Sequence, residues 1–133
     1  MVEADGYILR IATKQWVEQV FNMAIYYTNA RRKWKPGQTI LFMHKTGKGD
    51  AVVGYGEIGN LYSIDELSEE EKLECEKHGW KKAIEFTYVK EFENPLSIKD
   101  TFLKDLKIRG KYFHGFPLKR EQITSIIEQA ENR

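Results

Sequence analysis

Two short stretches of this chain set cations beside aromatic rings. Arg31, Arg32, Lys33 and Lys35 surround Trp34, and Lys107, Arg109 and Lys111 lead into Tyr112, Phe113 and His114. Cations neutralise phosphates and flat rings stack on base faces, each stacked base contributing ~1–3 kcal/mol, so this pairing suits single-stranded nucleic acid or a flipped base. The plainer account makes Trp34 and Phe113 core residues and the cations solubilising charges, because aromatic side chains usually bury themselves.

Other chemistries leave less trace. No glycine-rich loop ends in Lys-Ser or Lys-Thr, which disfavours a P-loop nucleotide hydrolase. Gly54-Tyr55-Gly56 has neither the third glycine nor the following helix of a dinucleotide site. Glycines inside a strand pattern instead mark the close approach of another segment. His44, His78 and His114 show no paired metal-ligand spacing, so neither a metal nor another cofactor is expected. Cys75 stands alone, which excludes an internal disulfide and a cysteine-based zinc motif. A hydrolytic triad draws on residues scattered along a chain, and nothing here proposes one.

Composition bounds what must position these residues. With 133 residues, 41% of them hydrophobic and 13% aromatic, the chain suits one domain spanning residues 1–133 with its own core. A formal net charge of +1 argues against a strongly basic coat protein. No apolar run nears the ~20 residues that cross a bilayer, and Met1 to Gly6 lacks the layout of a secretion signal. The expectation is a cytoplasmic protein with no membrane partner.

Hydrophobic period supplies the elements. Tyr7 to Ala12 reads as a strand, and Thr13 as the N-cap of a helix whose stripe of Trp16, Val17, Val20, Phe21, Ala24 and Tyr27 carries it to Tyr27 or Thr28. Pro36-Gly37 is a turn, and Ile40–Met43 and Ala51–Ile58 flank a second turn at Gly47–Asp50, making a central pair of strands. Asp65 to Lys77 sets seven carboxylates against two lysines, a net of −5 that leaves +6 for the remainder. Ser68 and Glu71 have capping-box spacing and Gly79 is a helix stop, so this is an acidic helix at the domain edge. Trp80 opens a strand in which Ile84, Phe86 and Tyr88 alternate with Glu85 and Thr87, and Asn94-Pro95 turns the chain. Ser97 to Leu106 reads as a short capped helix, Lys107 to Gly115 as an extended basic-aromatic stretch, and Leu118 to Ala130 as a final helix. The class is α+β.

The order of these signals resembles the EVE domain family. It runs from Lys35-Pro36-Gly37 through Ile40-Leu41-Phe42-Met43-His44 and Val52-Val53-Gly54-Tyr55-Gly56-Glu57-Ile58 to Trp80, Asn94-Pro95-Leu96-Ser97-Ile98-Lys99, the basic-aromatic segment and the last helix. Phe42-Met43-His44-Lys45 is similar to the family's Phe-Tyr-His-Ser, and the strand around Gly54 to its Val-Gly-Ile-Ala-Glu-Val. The likeness spans Tyr7 to Gln129. EVE domains belong to the PUA-like superfamily with the YTH readers of methylated adenine and the ASCH domains.

The resemblance implies a small, strongly bent β-barrel, the PUA-like pseudo-barrel, flanked by helices, with a pocket for a modified base extruded from nucleic acid. His44 matches the family histidine at its strand end, and Gly54 and Tyr55 match the strand beside it. Tyr26, Tyr27 and Asn29 fall where the superfamily sets one pocket wall, by position rather than by motif. Phe113 and His114 replace an Arg-Leu-Ser-Val segment of bacterial members, a departure that bears on polar readout.

Such a pocket needs rings about the base and polar groups at its edge. Tyr26, Tyr27, Trp34 and Phe113 are the candidate rings, Asn29, His44 and His114 the candidate donors and acceptors, and Tyr55 joins them from its matching strand. Arg31, Arg32, Lys33, Lys35, Lys107, Arg109 and Lys111 are the candidate phosphate contacts, which position a strand without reading its sequence. Core packing competes for Trp34 and Tyr27, and a buried imidazole bonded to backbone competes for His44. The reading is a noncatalytic nucleic-acid-binding module. Two alternatives stay open: an ASCH-like enzyme acting on RNA or a nucleoside, and a protein-interaction domain that uses the acidic helix. Against the enzyme, Tyr27 to Lys33 has no acidic member to match the ASCH motif Gly-x-Lys-x-x-Glu-x-Arg.

Overall fold

The computed structural model describes residues 4–29, 33–108 and 110–132. Strand β1 (Gly6–Ile11) leads through helix α1 (Lys14–Met23) into β2 (Ile25–Thr28). A hairpin of β3 (Thr39–Thr46) and β4 (Gly49–Ser63) follows, then α2 (Glu69–His78), β5 (Lys82–Ser97), β6 (Pro117–Leu118) and α3 (Arg120–Glu131). Short 3-10 turns occupy Ile64–Glu66, Ile98–Asp100, Phe102–Asp105 and Gly110–Phe113. The strands make one sheet in the order β2-β5-β4-β3-β1-β6. Its pairings are antiparallel except for β1 with β3.

Alternation along the central strands builds two cores. Tyr7, Leu9, Ile11, Ile40 and Phe42 meet Val17 and Val20 of α1 on one face. Ile8, Leu41 and Met43 meet Ile123 and Ile126 of α3 on the other. A strand buried on both faces has no polar alternation, which is why Ile40 to Met43 is apolar without a break. Phe42 is the hub of the first core, edge-on to Phe21 at 5.5 Å and to Phe86 at 5.2 Å. Gly54 lets α1 come this close: a Cβ there would stand 2.4 Å from the Lys90 carbonyl and 2.6 Å from the Phe21 ring. The close approach expected of that glycine is present.

Several expectations are corrected. The sheet is strongly irregular, with register shifts at Phe42/Met43 of β3 and at Val52/Gly54, Glu57/Ile58 and Ile58/Asn60 of β4, but it stays open. Its edges, β2 and β6, are only four and two residues long and pair inward with β5 and β1. "Barrel" is therefore an approximation. Helix α1 stops at Met23, not at Tyr27 or Thr28, because Ala24 takes left-handed φ 55° and the four residues after it, Ile-Tyr-Tyr-Thr, are all strand formers. Asn94-Pro95 does not turn the chain but lies within β5, at the register shift opposite Val53, where a missing proline N–H costs no ladder bond. Ser97 to Leu106 forms two 3-10 turns capped by Ser97 and Thr101 instead of one helix. The stretch expected to be extended, Lys107 to Gly115, instead contains a 3-10 turn at Gly110–Phe113 with Phe113 buried, while Arg109 lies outside the described residues. The acidic helix forms as expected, with Ser68 Oγ accepting from the Glu71 N–H and Gly79 left-handed at φ 75°. Among the described residues no helix is long and apolar enough to cross a membrane.

Candidate nucleic-acid interface

Where the sheet fails to close, a cavity of about 360 Å³ opens between β1 and β2. Three strands separate these two in the sheet order, so the sheet curls until its first and fifth members face each other. Arg10 and Ile11 of β1, with Lys111 on the last 3-10 turn and His114 just after it, form one wall. Tyr26, Tyr27 and Asn29, with Trp80, form the other, and Trp16 and Gln19 of α1 close the space between. The volume is within the ~300–1,000 Å³ of sites for small organic groups.

The β2 wall is aromatic. Tyr27 and Trp80 stack at 5.6 Å with planes 14° apart, and Trp16 meets Trp80 edge-on at 5.0 Å. His78 stacks on Trp80 at 4.4 Å. Two left-handed residues set this up. Ala24 ends α1 so that β2 can carry the tyrosines, and Gly79 ends α2 so that the Trp80 N–H can donate to the Cys75 carbonyl at 2.9 Å. Behind the wall, the Tyr27 hydroxyl donates to the Glu71 carboxylate at 2.7 Å. That bond, aided by Ser68, holds Glu71 below the usual carboxylate range. Burial and the neighbouring Glu71 raise Tyr27, and burial alone pushes Tyr26 up to about 12, so both phenols are neutral at ordinary pH.

The β1 wall is polar. The Arg10 backbone N–H donates to His114 Nδ1 at 3.1 Å, which leaves the neutral imidazole with its proton on Nε2. The Arg10 guanidinium is bonded to Asp50 at 3.0 and 3.3 Å, with both groups mostly buried. A flat heterocycle entering this space meets stacked rings on one side. On the other it meets the imidazole of His114, while the amides of Gln19 and Asn29 can each donate or accept.

The family model described as EVE domain matches residues 6–129. The chain belongs to the EVE domain family. Its fold is similar to a solved ASCH protein of Zymomonas mobilis, with a TM-score of 0.66 and 9% identity over 91% of this chain and 92% of that one. One point mutant of the same protein gives 0.66 and 10% identity over 96% and 99% of the two chains. Both EVE and ASCH domains belong to the PUA-like superfamily. No curated protein sequence matches the chain.

In this EVE domain the cavity brings together four of the expected pocket residues, Tyr26, Tyr27, Asn29 and His114. Four others lie elsewhere. Trp34 is 6% exposed in the first core, edge-on to Tyr7 at 5.0 Å. Phe113 is 1% exposed in the second core beside Phe116. His44 donates from Nδ1 to the Ile11 carbonyl at 2.8 Å and borders a separate hollow beside Lys14 and Glu18. Tyr55 follows Gly54, which faces α1, so strand parity turns Tyr55 to the opposite face among Tyr88 and Phe92. Of the expected phosphate contacts, Lys111 reaches the cavity, Lys33, Lys35 and Lys107 are exposed away from it, and Arg31, Arg32 and Arg109 lie outside the described residues.

Sequence reasoning missed Arg10, Trp16, Gln19 and Trp80. Trp16 was absorbed into the helical stripe and Trp80 into the opening of a strand. The signal that would have found them is the pair of tryptophans at the entrance and exit of polar helices, where neither has a complete core to enter.

Proposed function

We propose that this EVE domain is a noncatalytic nucleic-acid-binding module that takes one unstacked, modified base into the cavity between β1 and β2. The observation that carries the reading is the aromatic wall of Tyr27 and Trp80 with Trp16 edge-on, facing His114, Lys111 and the Asp50-paired Arg10 across a space of about 360 Å³. Rings of this kind hold a base by its faces and an added methyl by apolar contact, while Asn29, Gln19 and His114 address its edge. The carboxylates bonded to cavity residues, Glu71 to Tyr27 and Asp50 to Arg10, are already engaged, which supports binding over proton-transfer chemistry.

The test is a titration of short single strands of DNA and RNA, with and without methylated cytosine or methylated adenine, at two salt concentrations. One modification should tighten binding, and Trp80→Ala should erase that preference, a loss of about 10-fold or more from ~1–3 kcal/mol of stacking. Equal binding of modified and plain strands by both proteins would end the modified-base reading. The second reading, an ASCH-like processing enzyme, rests on the fold shared with the Zymomonas protein and predicts a chemically altered oligonucleotide after incubation.

A further inference from the structure

The two walls of the cavity are backed by opposite charge. Behind the β2 wall stands α2, tied to it by Tyr27 to Glu71 and by His78 on Trp80, in the segment 65–77 that carries net −5. Behind the β1 wall lies the segment 99–111, whose described residues set Lys99, Lys104, Lys107 and Lys111 against Asp100 and Asp105 for net +2. That segment contains a second hollow, with Leu103, Leu106, Ile108 and Phe113 as its apolar surface and Lys104 and Lys107 beside Asp105 at its rim. The two spaces are neighbours. Arg10 lines the first and Asp50 the second, and these residues are bonded to each other at 3.0 Å. The 3-10 turn Gly110–Phe113 separates them, its Lys111 facing the cavity and its Gly110 and Phe113 facing the hollow. On that turn the Tyr112 ring is 69% exposed, with Lys111 Nζ 5.6 Å from its centroid.

Resting on the base-binding reading, we infer that the ligand is a single strand that enters by one end and leaves in one direction only. The terminal base occupies the cavity, the next stacks on Tyr112, and the backbone continues over the turn to Lys104 and Lys107. A base flipped from the middle of a duplex has phosphates on both sides. One side would then run along α2, within the ~8–10 Å over which its carboxylates act at moderate salt. Exposed Tyr112 beside apolar side chains and lysines offers a base face and phosphate partners together, a combination suited to single strands.

The experiment compares short single strands carrying the methylated base at the 5′ end, at the 3′ end or in the middle, and a duplex carrying it in the middle. One terminal placement should bind tightest and the duplex weakest, by about 10-fold or more. Lys104→Gln with Lys107→Gln should weaken the best strand and lower its salt slope by about 1.4, two contacts at ~0.7 each, while keeping the preference for the methylated base. Glu70→Gln with Glu76→Gln, both exposed on α2, should bring the duplex closer to the single strand. Tight binding of the duplex, equal binding at all three positions, or an unchanged salt slope in the lysine variant would overturn the inference while leaving the cavity as a base site. Loss of methyl preference in the native protein would instead remove the base-binding reading and this inference with it.

Discussion

Tyr27 performs two tasks that one atom separates. Its ring stacks on Trp80 and its hydroxyl donates to Glu71, so Tyr27→Phe keeps the wall and removes the tether. The loss should be about 1 kcal/mol at neutral pH, the usual scale for a partly solvated hydrogen bond to a charge. Glu71 is depressed in the folded state, so the stability it contributes is present above the unfolded carboxylate range and disappears as pH falls through its lowered value. Urea unfolding at neutral and acidic pH should therefore show the variant's deficit shrinking in acid; a constant deficit would mean the bond is not what stabilises the wall. Tyr26 behaves in the opposite sense. Its folded pKa is raised to about 12, so its contribution is complete below the ordinary phenol value and is lost as pH rises toward 12. Tyr26→Phe should flatten the alkaline fall in stability. At this scale the sequence pointed to rings and cations but placed only part of them: of the expected pocket residues, Tyr26, Tyr27, Asn29 and His114 line the cavity. Aromatics and cations near positions 31–35 and 107–114 were visible, yet Trp34 and Phe113 went to the cores because a buried ring gains more apolar contact than an exposed one. Two of the rings that do line the cavity, Trp16 and Trp80, are 64 residues apart and meet only through the fold.

Elements answer to two backbone positions. Ala24 sits at φ 55°, where an L side chain is strained and glycine is not, and its carbonyl accepts the Phe86 N–H at 2.8 Å. Ala24→Gly should raise stability by up to ~1 kcal/mol, readable as a higher Tm, with the cavity unchanged. Gly54→Ala should do the reverse. Its Cβ would stand 2.4 Å from a backbone carbonyl that cannot rotate away, a cost of about 2–3 kcal/mol or more, and a fully folded, equally stable variant would show that the α1–sheet spacing can give. The close approach at Gly54 was legible because glycine inside a strand has few other uses. The end of α1 was not, because the 3.6-residue period runs on through Ala24 and Tyr27 while the β-forming preference of residues 25–28 prevails. The order β1, α1, β3, β4, α2, β5, α3 was legible, whereas the short edge strands β2 and β6 read as parts of helices. The 3-10 turns were not legible, since their caps and lengths mimic a short helix in one place and an extended segment in another.

At the scale of the whole molecule the sheet divides the interior, and each half has its own load. Phe42→Ala removes the hub of the core beneath α1 and should cost ~3–5 kcal/mol, and Phe113→Ala should cost a similar amount in the core beneath α3. Because β3 contributes to both faces, chemical unfolding of either variant should remain one transition when followed by far-ultraviolet circular dichroism and by tryptophan fluorescence. Two separated transitions would show that the halves are independent. The curl that brings β1 to β2 was expected from the family resemblance and not from hydrophobic spacing, which does not encode the register shifts in β4. Cys75, finally, is the chain's sole thiol, has no exposed surface, and lies on the helix that backs the aromatic wall. Burial also pushes that thiol up, so a maleimide or disulfide reagent attacks it only in the moments when α2 lifts away. The native protein thus carries its own clock: the labelling rate of Cys75 times the opening of the β2 wall, and an occupied cavity should slow it.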